Sequence, residues 1–192
     1  MNDFFEISGK TEKLMDEALD EVAAQFNIIA DITRYNQQKM LKAFVNNRVS
    51  EACLNATTGY GYGDMGRETL EKVCAEVFGA EDSIIRHSFA SGTHTITVAL
   101  FGILRPGDTM LCVTGRPYDT LIGVLGIDKR VDGSLSDFDI GYDEVALKPD
   151  GSVDSDGIKA KLKSKKYKVV YIQRSRGYSL RPSLTVENIA EI

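Results

Sequence analysis

The sequence contains few of the residues that form disulfide frameworks or metal sites. It has three cysteines, Cys53, Cys74 and Cys112, without C-x-x-C spacing, and two histidines, His87 and His94. Cysteines that are odd in number and lie among apolar residues predict reduced core thiols. The histidines have no partners at metal-ligand spacing. We therefore expect a cytoplasmic protein without a disulfide framework or a metal site.

Long apolar runs and basic clusters are also missing. The longest strongly apolar run, ITVALFGIL, is far shorter than a membrane span, and the start, MNDFFEISGK, carries acidic residues where a signal peptide has basic ones. The net charge of −5 argues against nucleic acid as a partner, because binding to a phosphate backbone needs clustered Lys and Arg. We expect small molecules or proteins as partners and no membrane.

What is present is an alternation of helix and strand patterns. Apolar residues recur at helical spacing from Thr11 to Val49, which predicts one or two amphipathic helices before the core. The later helices are predicted at ETLEKVCAEVFG, THTITVALFGIL, YDTLIGVLGI, VDSDGIKAKLKSK and TVENIAEI, and the strands at SIIRHSF, TMLCVTG, YDEVAL and KVVYIQ. Short apolar strands between helices are typical of a sheet buried on both faces. The predicted fold is α/β with a mainly parallel sheet and flanking helices.

The stretch GYGYGDMG contains G-x-G-x-x-G at Gly61, Gly63 and Gly66, the spacing of a dinucleotide fingerprint. That fingerprint needs a strand directly before its first glycine and an acidic residue at the end of the next strand. The preceding residues, SEACLNATT, are polar, and no acidic residue stands at the required place. The composition favours a flexible Gly-rich connection, and a dinucleotide-binding oxidoreductase remains an alternative.

A better phosphate site follows in FASGTHTITVALFGIL. Here a predicted strand ends and Ser91, Gly92 and Thr93 begin an apolar helix. A helix start presents unpaired backbone N–H groups and the positive end of the helix dipole, which together bind anions. The alternative is simple N-capping by Ser91 or Thr93.

Four separated segments carry a resemblance to a known family. They are TGYGYGDMGRETLEKVCAEVFGAED, SGTHTITVALFGILRPGD, VTGRPYDTL and QRSRGYSLRPSL. In this order they resemble the aluminium-resistance, methionine gamma-lyase-like enzymes, which depend on pyridoxal 5'-phosphate and have the aspartate-aminotransferase fold. The resemblance implies an N-terminal helical arm, residues 1–58, and the first part of a fold-type-I pyridoxal-phosphate-binding large domain, residues 59–192.

The resemblance also implies roles for single residues. Ser91, Gly92 and Thr93 match the turn that holds the cofactor phosphate, and Tyr118 matches the aromatic ring that stacks on the pyridine ring. Related lyases are homo-oligomers, dimers or tetramers, in which a Gly- and Tyr-rich segment reaches the phosphate of the neighbouring subunit. The residues that match this segment are Tyr60, Tyr62 and Arg67.

The activity implied is carbon–sulfur elimination from a sulfur-containing amino acid. Pyridoxal catalysis needs a Schiff-base lysine and an acidic residue at the pyridine nitrogen, and in the family both follow the segment matching TVENIAEI. The lysines on the helix near the end, from Lys159 to Lys166, are predicted to form its solvated face. We therefore expect an N-terminal portion that is inactive alone. A non-catalytic cofactor-binding or assembly fragment is the alternative.

Three arginines follow the strand KVVYIQ at its C-terminal end, where open α/β sheets bind ligands. They are Arg174, Arg176 and Arg181. Contact with the cofactor or with a substrate carboxylate is one interpretation, and a basic surface loop is the other.

Overall fold

The structure, a computed structural model, describes residues 5–58, 60 and 62–192. It contains two compact units, one that ends at His87 and one that begins at Ser88. The predicted division into residues 1–58 and 59–192 stays a prediction. The helices are α1 (Gly9–Asn46), α2 (Met65–Phe78), α3 (Gly92–Ile103), α4 (Asp119–Leu125), α5 (Ser155–Ser164) and α6 (Val186–Glu191). The strands are β1 (Thr109–Cys112), β2 (Gly141–Glu144) and β3 (Val169–Tyr171), and the 3-10 helices are Glu51–Leu54 and Leu135–Phe138.

The first unit is built on one long helix, α1, where the sequence predicts one or two. Its N-terminus is capped by Ser8, whose hydroxyl accepts the backbone N–H of Thr11. At its other end Ala43 is buried, and the side-chain amides of Asn46 and Asn47 donate to the Glu76 carboxylate of α2 at 2.6 and 2.8 Å. The last turns of α1 are therefore attached to α2.

The segment predicted as the strand SIIRHSF is irregular, so that prediction is wrong. Its polar groups bond to Glu71 of α2: the Ile85 N–H donates to the Glu71 carboxylate at 3.1 Å, and the Ser83 hydroxyl donates to the Glu71 carbonyl at 2.7 Å. Arg86 forms an ion pair with the same carboxylate. The backbone thus bonds to a helix and not to a neighbouring strand, and Ile84 is left exposed.

The second unit has a small parallel sheet covered by helices, so the predicted α/β class is confirmed. The strand order is β2-β1-β3, and β1 pairs in parallel with both neighbours. Strands β1 and β3 lie within the predicted segments TMLCVTG and KVVYIQ, and β2 begins one residue before the predicted segment YDEVAL. The turn before β1 also has its predicted form, because Gly107 has φ 87 and the Asp108 N–H donates to the Arg105 carbonyl at 2.9 Å.

Strand β1 is buried on both faces. Met110 and Cys112 point to one apolar cluster, whereas Leu111 and Val113 point to another. The first cluster also contains Leu100, Leu104, Leu121, Leu125, Leu135 and Ile140, and the second also contains Val145, Val153, Ile158 and Leu184. The alternation of side chains along a strand therefore joins the two halves of the core through one strand.

The cysteines were predicted to be reduced thiols in the core. All three cysteines are free thiols, but only Cys112 is buried, whereas Cys53 and Cys74 are half-buried and not part of the core. Burial raises the pKa of the Cys112 thiol to about 12, so this group stays protonated.

Over the described ranges, no helix combines the length and the apolar character needed to cross a bilayer.

We predict that Leu111→Ala will destabilise the chain by about 2–5 kcal/mol, because its side chain is fully buried at the centre of the sheet. Urea unfolding followed by circular dichroism measures the change. Leu162→Ala on α5 is the matched control, and its cost should be below about 1 kcal/mol because Leu162 is 46% exposed. Equal costs for the two variants would contradict the central position of β1.

Candidate functional site

Polar groups meet where β1 and β3 end. The Thr114 hydroxyl, two residues beyond β1, accepts the Gln173 backbone N–H at 3.0 Å. The Gln173 side-chain oxygen accepts the Tyr118 N–H at 2.8 Å, and its amide nitrogen donates to the Ser175 carbonyl at 3.2 Å. Gln173 therefore joins the start of α4 to the loop that follows β3.

A cleft of about 380 Å³ opens at this edge of the sheet. Most of its lining residues are polar and come from the segments that follow β1 and β3, and Leu147 comes from the segment after β2. The lining residues are Thr114, Arg116, Pro117, Tyr118, Asp119, Leu147, Gln173, Arg176, Gly177, Tyr178, Ser179 and Arg181. Ligands of open α/β sheets bind at the carboxyl ends of the strands, so this cleft has the position expected of a binding site.

Tyr118 lies against the loop after β3. Its ring centroid is 6.1 Å from that of Tyr178, with the ring planes at 35°. The hydrogen bond with the Tyr178 hydroxyl raises the pKa of Tyr118. Gly177 has φ +56, and a Cβ atom at this position would lie 2.8 Å from Cδ2 of Tyr118. Glycine at 177 is therefore required both by backbone conformation and by close approach to the ring.

The start of α3 has the geometry predicted for an anion site. Ser91 is the N-cap residue, and its hydroxyl accepts the His94 N–H at 3.1 Å, so the capping alternative is confirmed for Ser91. The backbone N–H groups of Gly92 and Thr93 donate to no acceptor within the described part of the chain. Ser91 and Gly92 are exposed, whereas Thr93 is half-buried. Capping therefore uses the Ser91 hydroxyl and leaves two N–H groups for a ligand.

The start of α3 is joined to the cleft by one contact. The Thr93 and Thr120 hydroxyls lie 2.8 Å apart, and Thr120 is in the first turn of α4, two residues after Tyr118. The structure thus brings together Ser91, Gly92, Thr93 and Tyr118 in the second unit. Their roles toward a ligand stay predictions.

The arginines near the cleft differ in their partners. Arg116 forms an ion pair with Asp128 at 2.5 Å. Arg176 donates to the Arg181 carbonyl at 3.3 Å, and Arg181 donates to the carbonyls of Pro182 and Ser175 at 3.0 and 3.1 Å. These bonds hold the loop in its course across the end of the sheet.

Arg174 does not line the cleft, although it belongs to the same predicted set. Its Nε donates to the Leu184 carbonyl at 3.0 Å. The interpretation as a ligand-facing cluster is therefore open only for Arg176 and Arg181.

The remaining predicted site residues lie in the first unit. Tyr60 and Tyr62 are 87% and 97% exposed, and the Arg67 N–H donates to the Asp64 carboxylate that caps α2. Arg67 also lies 3.7 Å from a second oxygen of Asp64. Their role across a subunit boundary stays a prediction.

Local structure explains why glycine is needed at two positions of the G-x-G-x-x-G stretch. Gly63 has φ +65, and a Cβ atom on Gly66 would lie 2.3 Å from the Cys53 carbonyl oxygen. Gly61 lies outside the described residues. Residues 50–58 contain a 3-10 helix and no strand, so the strand that a dinucleotide fingerprint requires before this stretch is not there.

Sequence reasoning missed Gln173, Thr120, Arg116 and Tyr178. Gln173 could have been found as the first polar residue after the apolar run VVYI, since residues at strand ends are placed toward ligands. Thr120 had no comparable signal, because its importance comes from a contact with α3. Across the described ranges no cluster of His, Cys, Asp or Glu could hold a metal ion. His94 has a structural contact, since its Nδ1 accepts the Ala90 N–H at 3.2 Å.

The family model and two solved structures that are similar to this chain are all described as lyases. A family model described as methionine gamma-lyase matches residues 11–192. A protein from Listeria innocua, described as a candidate cystathionine beta-lyase involved in aluminium resistance, is 46% identical with a TM-score of 0.89, over 94% of this chain and 44% of that one. A carbon–sulfur lyase involved in aluminium resistance from Clostridium novyi NT is 44% identical, also with a TM-score of 0.89, over 95% of this chain and 44% of that one.

A curated relative has a similar extent of match. The uncharacterized protein YnbB of Bacillus subtilis (strain 168) is 44% identical over 173 residues, which are 90% of this chain and 41% of YnbB. The chain therefore spans less than half the length of the relatives it matches.

We predict that Gly177→Ala will release the loop after β3 from Tyr118. The alanine would have to adopt a left-handed backbone conformation, and its Cβ atom would lie 2.8 Å from Cδ2 of the Tyr118 ring. Limited trypsin digestion, followed at the bond after Arg174, should be at least about five-fold faster, the effect of about 1 kcal/mol in local opening.

Gly102→Ala is the control for this prediction. Gly102 lies inside α3, and a Cβ atom there has no neighbour within 4 Å. This variant should be digested at the wild-type rate and be as stable as the wild type or slightly more so. An unchanged rate for Gly177→Ala would show that Gly177 does not hold the loop.

Proposed function

Because the chain belongs to the methionine gamma-lyase family, we propose that it forms the cofactor-binding part of a pyridoxal-phosphate-dependent carbon–sulfur lyase of fold type I. The observation that carries this proposal is the contact between the start of α3 and the cleft. Two free N–H groups, at Gly92 and Thr93, and the Tyr118 ring are linked through the Thr93–Thr120 contact of 2.8 Å. One small molecule could therefore bind with its phosphate at the start of α3 and its aromatic ring at Tyr118.

The residues at the start of α3 fit a phosphate by their chemistry. Two adjacent N–H donors point out of the first turn of a 12-residue helix, where the helix dipole favours a dianion. Neither Ser91 nor Gly92 is covered by other parts of the unit. Within the described residues, the hydrogen bonds of Ser91 and Thr93 lead to hydroxyls and backbone groups and not to a carboxylate that would oppose an anion.

Tyr118 would hold the aromatic ring of the cofactor in the cleft. The Gln173 side chain positions Tyr118 by accepting the Tyr118 backbone N–H, and Gly177 allows the loop to approach the tyrosine ring closely. Stacking on tyrosine sets the plane of a bound ring and excludes water from one of its faces. When bound, pyridoxal phosphate supplies an electron-withdrawing ring that weakens the bonds at the α-carbon of an amino acid.

A sulfur-containing amino acid is the substrate class that we propose, in keeping with the names of the similar lyases. The residues that line the described cleft include no lysine. The amine that this chemistry requires is therefore proposed to come from outside the cleft described here. A non-catalytic cofactor-binding protein is the second candidate, and the same observation favours it.

The test of cofactor binding is Gly92→Pro. Proline suits this first helical position, because Ser91 before it is extended with φ −163 and ψ 167, and it removes one of the two free N–H groups. Binding of pyridoxal phosphate, measured by calorimetry and by the phosphorus NMR shift, should weaken about ten-fold through loss of a charge-assisted hydrogen bond.

Gly92→Ala is the matched control, since it keeps the N–H and its Cβ would have no neighbour within 4 Å. This variant should bind within about two-fold of the wild type. Stabilisation by NADH and not by pyridoxal phosphate in thermal melts, or equal binding by the proline and alanine variants, would overturn the proposed phosphate site.

We also propose a homodimer in which α1 contacts a second copy of the chain. Met15, Leu19, Val22, Phe26 and Ile29 follow one another at alternating steps of four and three, the spacing of a coiled-coil seam. All five side chains are exposed in the structure. An apolar seam of this kind is complementary to itself, so a two-fold interface would cover it.

Phe26→Glu should shift the chain toward the monomer, because it places a charge in the centre of the proposed interface. Light scattering and sedimentation at micromolar concentration measure the mass. Phe78→Glu is the control, since Phe78 is 84% exposed on α2 and lies off the seam. A wild-type chain that is monomeric under these conditions would count against the dimer.

A further inference from the structure

We propose that Thr120 is a positioning residue that sets the distance between the start of α3 and the Tyr118 ring, so that the two ends of one cofactor molecule bind cooperatively. The inference rests on the proposed function, from which it takes the phosphate at Gly92 and Thr93 and the aromatic ring at Tyr118. Thr120 itself is assigned no contact with the cofactor, and it acts through Thr93.

Helix α4, which begins beside Tyr118, has little to hold its start in place by itself. Tyr118 is the N-cap residue of this seven-residue helix, and its side chain makes no capping hydrogen bond. A helix of about two turns is marginal without tertiary contacts, because few intrahelical hydrogen bonds offset the cost of ordering it. The position of Tyr118 therefore depends on the groups to which the start of α4 is bonded.

Two hydrogen bonds attach the start of α4 to other elements. The Gln173 side-chain oxygen accepts the Tyr118 N–H at 2.8 Å, and the Thr120 and Thr93 hydroxyls lie 2.8 Å apart. Within the described residues, the Thr93–Thr120 contact is the one hydrogen bond between α3 and α4. The first bond sets the position of Tyr118 relative to the end of β3, and the second sets it relative to α3.

Apolar packing also joins the two helices, but it lies farther along them. Leu100 of α3 belongs to the same apolar cluster as Leu121 and Leu125 of α4. Leu100 is seven residues after Thr93, which is about two helical turns. Apolar contacts are non-directional, whereas a hydrogen bond favours one distance and one angle. The hydroxyl contact is therefore the interaction that fixes the first turns of α3 and α4 against each other.

A fixed separation matters when one molecule binds at two places. The second contact is then intramolecular, and its effective concentration is highest when the two places are held at the spacing of the ligand groups. If the start of α4 moved relative to α3, each place would still bind its own group, but ordering both for one molecule would cost more. Loss of the Thr120 hydroxyl should therefore weaken a ligand with both groups more than a ligand with either group.

The test compares three ligands on the wild-type chain and on Thr120→Val, which keeps the side-chain shape without the hydroxyl. Inorganic phosphate probes the start of α3, pyridoxine probes Tyr118, and pyridoxine 5'-phosphate probes both. These ligands have no aldehyde, so lysines cannot form an imine with them. Calorimetry measures the three dissociation constants, and phosphorus NMR checks those of the two phosphates.

We expect Thr120→Val to weaken binding of pyridoxine 5'-phosphate about five-fold, the effect of one neutral hydrogen bond open to solvent. Binding of inorganic phosphate and of pyridoxine should each stay within about two-fold of the wild type. In the double variant Thr93→Val/Thr120→Val the loss should be no larger than in Thr120→Val, because both substitutions remove the same contact and the Thr93 backbone N–H is kept.

Two further variants are the controls. Thr120→Ser keeps the hydroxyl and should bind pyridoxine 5'-phosphate like the wild type. Thr95→Val removes a hydroxyl that donates to the Ser91 carbonyl at 3.1 Å within α3, and it should also bind like the wild type. Equal weakening of all three ligands by Thr120→Val, unchanged binding of pyridoxine 5'-phosphate, or additive losses in the double variant would overturn the role of Thr120.

This proposal and the proposed function can fail separately. A wild-type chain that binds neither inorganic phosphate nor pyridoxine 5'-phosphate would refute the phosphate site, and the role of Thr120 with it. Wild-type binding of pyridoxine 5'-phosphate no tighter than that of inorganic phosphate would refute the ring contact at Tyr118 and the cooperativity. Tight wild-type binding that Thr120→Val leaves unchanged would refute the role of Thr120 alone.

Discussion

Burial of β1 on both faces is the constraint on which the second unit depends. Four consecutive apolar side chains, from Met110 to Val113, alternate between two clusters of the core. Helices must therefore cover both faces of the sheet, and the edges of the sheet are formed by β2 and β3. With both faces covered, the carboxyl ends of the strands become the accessible place where polar side chains can collect. The cleft beside Tyr118 lies there for this reason.

The proposed site would divide binding between backbone and side chains. At the start of α3 the donors are backbone N–H groups, which are placed by the helix itself and need only the Ser91 cap to stay in position. In the cleft the donors and rings belong to side chains, and their placement depends on Gln173 and on the close approach of Gly177 to Tyr118. A phosphate at the backbone donors and an aromatic ring on Tyr118 would use these two kinds of group for different parts of one bound molecule.

Several features could be predicted from local sequence. The family resemblance is confirmed, and so are the α/β class, the short apolar strands within TMLCVTG and KVVYIQ, and the cap residue Ser91. These features depend on apolar periodicity, on turn residues and on short motifs, all of which act over a few neighbouring positions. The strand predicted at SIIRHSF failed because its apolar residues satisfy the strand pattern, while Glu71, distant in sequence, takes its hydrogen bonds.

The amino-acid sequence by itself determined the family, the order of helices and strands from β1 onward, and the position of the helix start at Ser91, because each follows from local patterns of apolar, small and polar residues. Only the tertiary structure decided which polar residues meet. It separated Arg174 from Arg176 and Arg181, joined Thr93 to Thr120, and placed Gln173 between two strand ends. Such contacts join residues far apart in the chain, and the packing of β1 between its two clusters sets them. No local pattern encodes that packing.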